Sequence, residues 1–182
     1  MENKKNLIGK ILLAIYGISC LIMAFFMNLS YGYNEIITKP IKNNRGEWVT
    51  ERIENEVFEQ ISVKDLLLTK DTTVLDITTG EIRNALPIST TLIWISLILL
   101  VAACVLIILD VLKVKKHISF IASITILLSF ILFMILPMFT HRDANGMGDA
   151  KFLMCSTVPA LIGLISSIFI TAVKGRKYLF RK

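Results

Sequence analysis

Apolar residues in this chain are gathered into four long runs instead of recurring at the spacing of a one-sided helix. The runs are Leu7 to Leu29, Pro87 to Leu112, Ile118 to Thr140 and Phe152 to Val173. A bilayer core about 30 Å thick is crossed by about 20 apolar helical residues, so each run is long enough to span it. Charge inside the runs is sparse. The first carries Lys10 near its start, where the side chain is expected to snorkel to the headgroups, and the second carries Asp110 one turn from its end. The third and fourth hold no Asp, Glu, Lys or Arg. The expected fold class is an all-α integral membrane protein: a four-helix transmembrane bundle with a small α+β extracytoplasmic cap between helices 1 and 2. The first run continues for 23 residues without a small-x-small cleavage site, so it reads as a retained anchor and not a removed signal peptide.

Between the runs the pattern changes to short polar-interrupted stretches. Glu35-Ile36-Ile37-Thr38 and Trp48-Val49-Thr50 are β-prone, and Thr73-Val74-Leu75-Asp76-Ile77 followed by Thr78-Thr79-Gly80 and Glu81-Ile82-Arg83 reads as a hairpin turning at the glycine. Val57, Phe58, Ile61 and Leu68 lie near helical spacing, predicting a short amphipathic helix over Asn55 to Leu68. A connection of this length is far longer than a bundle needs and is expected to fold as a cap leaning on the helix ends, a partner or the membrane surface.

Composition agrees with the pattern. With 54% apolar and 19% charged residues and a mean hydropathy of +0.68, the chain is too apolar for disorder, and its 9 glycines exclude a collagen repeat. The net charge of +6 looks at first like affinity for nucleic acid, but its distribution says otherwise. The N-terminus (Lys4, Lys5, Lys10), residues 113–117 (Lys113, Lys115, Lys116) and the C-terminal tail (Lys174, Arg176, Lys177, Arg181, Lys182) hold 11 basic residues against Glu2 and Asp110. By the positive-inside rule these lie in the cytoplasm. The expected layout at the cell membrane is therefore a cytoplasmic N-terminus and first span (1–29), the extracytoplasmic cap (30–86), spans at 87–112, 118–140 and 152–173, a cytoplasmic loop at 113–117, a second extracytoplasmic loop at 141–151, and a basic cytoplasmic tail (174–182). Nucleic acid is not an expected partner; the lipid bilayer is, together with a protein partner or a second copy of the chain.

Aromatic and small residues mark the expected contacts. Tyr31 and Tyr33 follow the first span and are assigned to the lipid interface, as are Lys177, Tyr178 and Arg181 in the tail. Trp48 and Phe58 lie within the cap and are assigned to partner binding. Gly163 and Ser167, four apart on the fourth span, are assigned to helix packing, as are Ser119 and Ser123 on the third. Pro159 is expected to kink the fourth helix and Pro137 to bend or end the third.

Catalytic chemistry finds little support. Cys20, Cys104 and Cys155 stand singly in three different spans, so no accessible thiol pair exists for disulfide chemistry. His117 and His141 flank one span at opposite ends, where they cannot jointly ligate a haem. No cofactor or metal is expected. The loop Asp143 to Asp149 alternates oxygen-bearing residues with glycine, but Met147 stands where a calcium loop needs an oxygen ligand.

The most specific local pattern is Asn145-Gly146-Met147-Gly148-Asp149 before the fourth run. It resembles the glycine-x-glycine-aspartate motif of intramembrane aspartyl proteases such as the prepilin peptidases, which implies Asp149 as one catalytic carboxylate and Asp110, followed by Lys113, Lys115 and Lys116, as the other. Such a dyad must share one membrane depth. Here a single span separates the two aspartates and puts them at opposite faces. The reading preferred for them is local: Asp149 as N-cap of the fourth helix, Asp110 as an offset to nearby lysines. In layout the whole chain resembles the claudin and PMP22-like four-span proteins, although no cysteine lies in residues 30–86 to match that family's paired loop cysteines. That resemblance implies a non-catalytic protein working through its extracytoplasmic cap and bundle, as an assembly subunit, adhesion or regulatory component. The alternatives are the intramembrane aspartyl protease, or an oligomeric pore.

Overall fold

In the computed structural model the chain is mostly helical, with four long apolar helices and a small sheet region. The structure describes residues 2–69, 73–74, 77–112, 118–142 and 149–179. The long helices are α1 (Glu2–Phe26), α4 (Pro87–Val111), α5 (Ile118–Ile135) and α6 (Val158–Leu179), and all four contain a stretch long and apolar enough to cross a membrane. This is the make-up of a multi-pass membrane protein. Between α1 and α4 come strands β1 (Asn28–Lys42) and β2 (Trp48–Ser62), helix α2 (Val63–Leu68), the short strands β3 (Thr73–Val74) and β4 (Ile77–Thr78), and helix α3 (Thr79–Ala85). Strands β5 (Thr140–Arg142) and β6 (Asp149–Phe152) lie between α5 and α6.

The long helices pack α1 on α4, α4 on α5 and α5 on α6. Lipid removes the hydrophobic drive between helices, so close packing and interhelical hydrogen bonds must hold them together. The sequence supplies both. A β-carbon at Gly163 of α6 would overlap the Phe130 ring of α5, and one at Gly17 of α1 would come within 2.9 Å of Ile107 on α4. Ser129 Oγ donates to the Ser96 carbonyl across α5 and α4 at 2.9 Å, and Tyr16 Oη shares a 2.8 Å hydrogen bond with Ser166 Oγ across α1 and α6. Ser167 and Ser123 are buried and turn their hydroxyls back to carbonyls of their own helices.

Several expectations for the connections need correction. Residues 48–62 form one continuous strand, and the helix expected over Asn55 to Leu68 is confined to Val63–Leu68. Val57, Glu59 and Ile61 share one face at the two-residue period of a strand, and β1 pairs with β2 along its full length. Helix α2 starts where Ser62 caps it: its Oγ accepts from the Asp65 amide at 3.0 Å and donates to Asp65 Oδ2 at 2.6 Å. The predicted hairpin shrinks to two residues a side, Thr73–Val74 against Ile77–Thr78, and Gly80 lies inside α3 instead of at a turn. Arg83 of α3 donates to the Leu66 and Thr69 carbonyls, tying α3 to the end of α2.

The second connection differs most. It was expected as a plain loop, but β5 and β6 form a hairpin whose β6 strand pairs with β1 through Tyr31↔Phe152 and Gly32↔Lys151. The result is a four-stranded antiparallel sheet in the order β2-β1-β6-β5, built from both connections and therefore at one end of the helices. Asp149 consequently starts a strand and does not cap α6, which begins nine residues later. Pro159 falls in the first turn of α6, where its missing N–H breaks no helical hydrogen bond, so it opens the helix instead of kinking it. Pro137 lies in the 3-10 turn Leu136–Met138 that ends α5.

Candidate interaction surface

The sheet has an inner and an outer face, and strand alternation decides which residue falls on which. Leu29, Tyr31 and Tyr33 of β1 and Glu59 and Ile61 of β2 are buried on the inner face. Tyr31 stacks on Tyr33 with ring centroids 5.3 Å apart and meets Phe152 edge-on at 6.4 Å. The lipid-interface assignment of the two tyrosines is thereby corrected: they are 2% and 7% exposed, core residues of the sheet, because β1 turns away from the end of α1 and lays alternate side chains inward. Tyr33 Oη donates to Glu59 Oε1 at 3.4 Å, a buried carboxylate that the sequence reading missed. Its signal was available, since Glu59 lies midway between Val57 and Ile61 at strand spacing.

Beyond this base the two strands continue alone. Each has 15 residues, about 50 Å of extended chain, and β6 pairs with β1 only at Tyr31 and Gly32. From residue 37 outward the hairpin residues whose burial is described are exposed or only half-buried. It closes through Asn43, whose Oδ1 accepts from the Arg45 and Glu47 amides, with Gly46 at φ +80°. The inner-face pattern persists along this arm as the cross-strand pairs Ile37↔Ile53 and Ile41↔Val49, with Ile41 and Val49 exposed. On the other face Trp48 is 70% exposed at the tip, with Lys42 Nζ 5.5 Å from its ring centroid.

Trp48 and Phe58, both assigned to partner binding, share that outer face but are ten residues apart on β2, about 33 Å. They do not form one patch. Phe58 lies at the base over Gly32, where a β-carbon would come within 3.2 Å of its ring.

The edge of the arm is also informative. The Leu153 amide donates to the Ser30 carbonyl, so even-numbered residues of β1 direct their backbone groups away from β2. Pro40 falls in that set and has no N–H, which interrupts the free edge against strand addition.

Asp110 and Asp149 are not brought together. Asp110 is in the last turn of α4, Asp149 is in the sheet, and α5, about 27 Å long, separates the two ends. Asp110 pairs with Lys10 of α1, Nζ to Oδ1 at 3.1 Å, and Lys10 also donates to the Asp110 carbonyl. Lys10 therefore does not reach out to headgroups as expected. These two residues are the lone charges of opposite sign inside the first two apolar runs, and the structure pairs them with each other, not Asp110 with the nearby lysines. Cys20 is buried and Cys104 half-buried, both free, and no group of three or more potential metal ligands occurs among the described residues. The Asn145 to Gly148 motif, Lys113 to His117 and Arg181 lie outside the described residues, while Lys177 and Tyr178 fall in the last turns of α6. No protein-family model matches the chain, and no curated protein or solved structure is significantly similar to it.

Proposed function

We propose that this chain is a non-catalytic membrane protein whose four helices form a bundle anchoring an extracytoplasmic cap, and that the β1–β2 arm binds another protein. The observation that carries this reading is the arm: a ribbon with apolar pairs on one face and an exposed tryptophan at its tip, reaching well past the sheet that holds its base. A hairpin serving only to join α1 to α4 has no need of that length. Pro40 argues for recognition through side chains of the two faces and against strand addition. The reading assigns an assembly, adhesion or regulatory role and places both termini in the cytoplasm on the basic-residue distribution.

Sidedness is checked with Asn44→Cys and Arg176→Cys in a background lacking the three native cysteines. An impermeant maleimide is expected to label position 44 on intact cells and position 176 only after lysis; the opposite pattern inverts the topology. Binding is checked by placing a photoreactive amino acid at Trp48 or Val49 in the source cells. A discrete protein adduct is expected from at least one position. It should vanish when Ile37, Ile41 and Ile53 of the arm's apolar face are replaced by serine with the photoreactive residue kept in place. Irradiation that yields no adduct at either position removes the arm as the binding element.

A further inference from the structure

A cleft of about 530 Å³ opens where α1 ends and α6 begins, at the level where the spans meet the sheet. That volume falls within the range of about 300–1,000 Å³ typical of ligand sites. Its apolar wall is Met23, Phe26 and Pro159, and its polar wall is Asn28, Ser30 and Gln60. The three polar residues share one sheet face: Asn28 and Ser30 alternate on β1, and Ser30 faces Gln60 across the ladder. None of their side chains has a hydrogen-bond partner among the described residues. Lys64, exposed on α2, holds its Nζ 6.0 Å from the centroid of the Phe26 ring and has no carboxylate partner among the described residues. Uncharged hydrogen-bonding groups and an apolar wall thus meet at the sheet end of the spans, and the Lys64 ammonium stands beside them over the Phe26 ring.

We propose that this cleft is a binding site for an anionic membrane phospholipid, whose net negative charge sets it apart from zwitterionic phosphatidylcholine. Its phosphate pairs with Lys64, the glycerol and ester oxygens meet Asn28, Ser30 and Gln60, and one acyl chain lies on Met23, Phe26 and Pro159. The charge complementarity selects this occupant: a phosphodiester supplies the anion that Lys64 lacks, and the ester region supplies acceptors for the Asn28 and Gln60 amides and the Ser30 hydroxyl. Below the cleft, exposed Ile22 of α1 and Ile162 of α6 continue an apolar path for the acyl chain. The Tyr16 to Ser166 hydrogen bond closes the α1–α6 seam further down, which limits the site to the end of the bundle nearest the sheet.

The test uses the full chain in phosphatidylcholine nanodiscs containing a small fraction of phosphatidylglycerol with a diazirine in its acyl chain, with labelled peptides identified by mass spectrometry. Phe26 is expected to be labelled about tenfold more than the comparably exposed Ile98 and Ile108 of α4, the ratio that about 1.4 kcal/mol of selective binding gives. Lys64→Glu and Gln60→Leu, both at exposed positions, should each lower that labelling about threefold to tenfold, and Lys64→Arg should preserve it. Equal labelling of α4 means an unselective lipid annulus and overturns the site, as does labelling indifferent to Lys64→Glu. The unaltered protein provides a second reading. Unlabelled phosphatidylglycerol should compete about tenfold better than diacylglycerol, which lacks the phosphate; equal competition overturns the assignment to Lys64. Neither result bears on whether the arm binds a protein.

Discussion

Replacing Lys10 by Met is expected to destabilise the folded protein by about 3 kcal/mol, as measured by equilibrium unfolding in mixed micelles. The Asp110 side chain is only 7% exposed, and of its two oxygens Oδ2 is buried without a hydrogen bond while Oδ1 faces Lys10. The same ammonium also donates to the Asp110 carbonyl in the last turn of α4. Removing the lysine therefore leaves a carboxylate uncompensated in an apolar setting. The double variant Lys10→Met with Asp110→Asn removes both charges at similar volume and should return to within about 1 kcal/mol of the parent. Recovery in the double variant is the signature of a charge pair; a Lys10→Met variant as stable as the parent would mean the pair does not hold α1 to α4.

The second large effect is expected at Gly163. Valine there should cost about 3 kcal/mol, because its β-carbon occupies the space of the Phe130 ring and a ring that is 1% exposed has nowhere to go. Combining Gly163→Val with Phe130→Ala should cost clearly less than the sum of the two single changes, since each fills or vacates the same space. Strict additivity would place Gly163 against something other than Phe130, such as a second copy of the chain. Tyr16 Oη also lies 3.4 Å from the Gly163 carbonyl, so α1, α5 and α6 meet at this one residue. A single small side chain there controls three helices because, in lipid, approach distance replaces hydrophobic burial as the source of stability.

The two pairs differ in how far the sequence announces them. Lys10 and Asp110 stand out as lone charges in apolar runs, and Gly163 with Ser167 has small-residue spacing. Their partners are another matter: Asp110 meets a residue 100 positions away, and Gly163 is matched to Phe130 by helix order and rotation, which no spacing along one helix encodes. Tyr31 and Tyr33 show the same limit. Their position just after a span is also that of an interfacial belt, and only the turn of β1 off α1 sends them inward.

What the sequence determined by itself is the number of long apolar helices and their approximate place, since a run of about 20 apolar residues has one stable arrangement in a bilayer; their ends were decided elsewhere, because the sheet takes Asn28 and Leu29 from the first expected span and Phe152 from the fourth, whose helix starts at Val158. It also determined that β-prone segments follow the first run. The tertiary structure alone decided how those segments combine. Strands β5 and β6 have three and four residues, too short for periodicity to mark, and they are strands because β1 offers β6 an edge. Strand β2 absorbed the residues expected to be helical because pairing with β1 satisfies every second backbone group over fifteen residues, which outweighs a local spacing of four apolar side chains. The arm and the cleft both follow from that pairing: one is the part of the hairpin that outruns the sheet, the other the gap where the sheet meets the ends of α1 and α6.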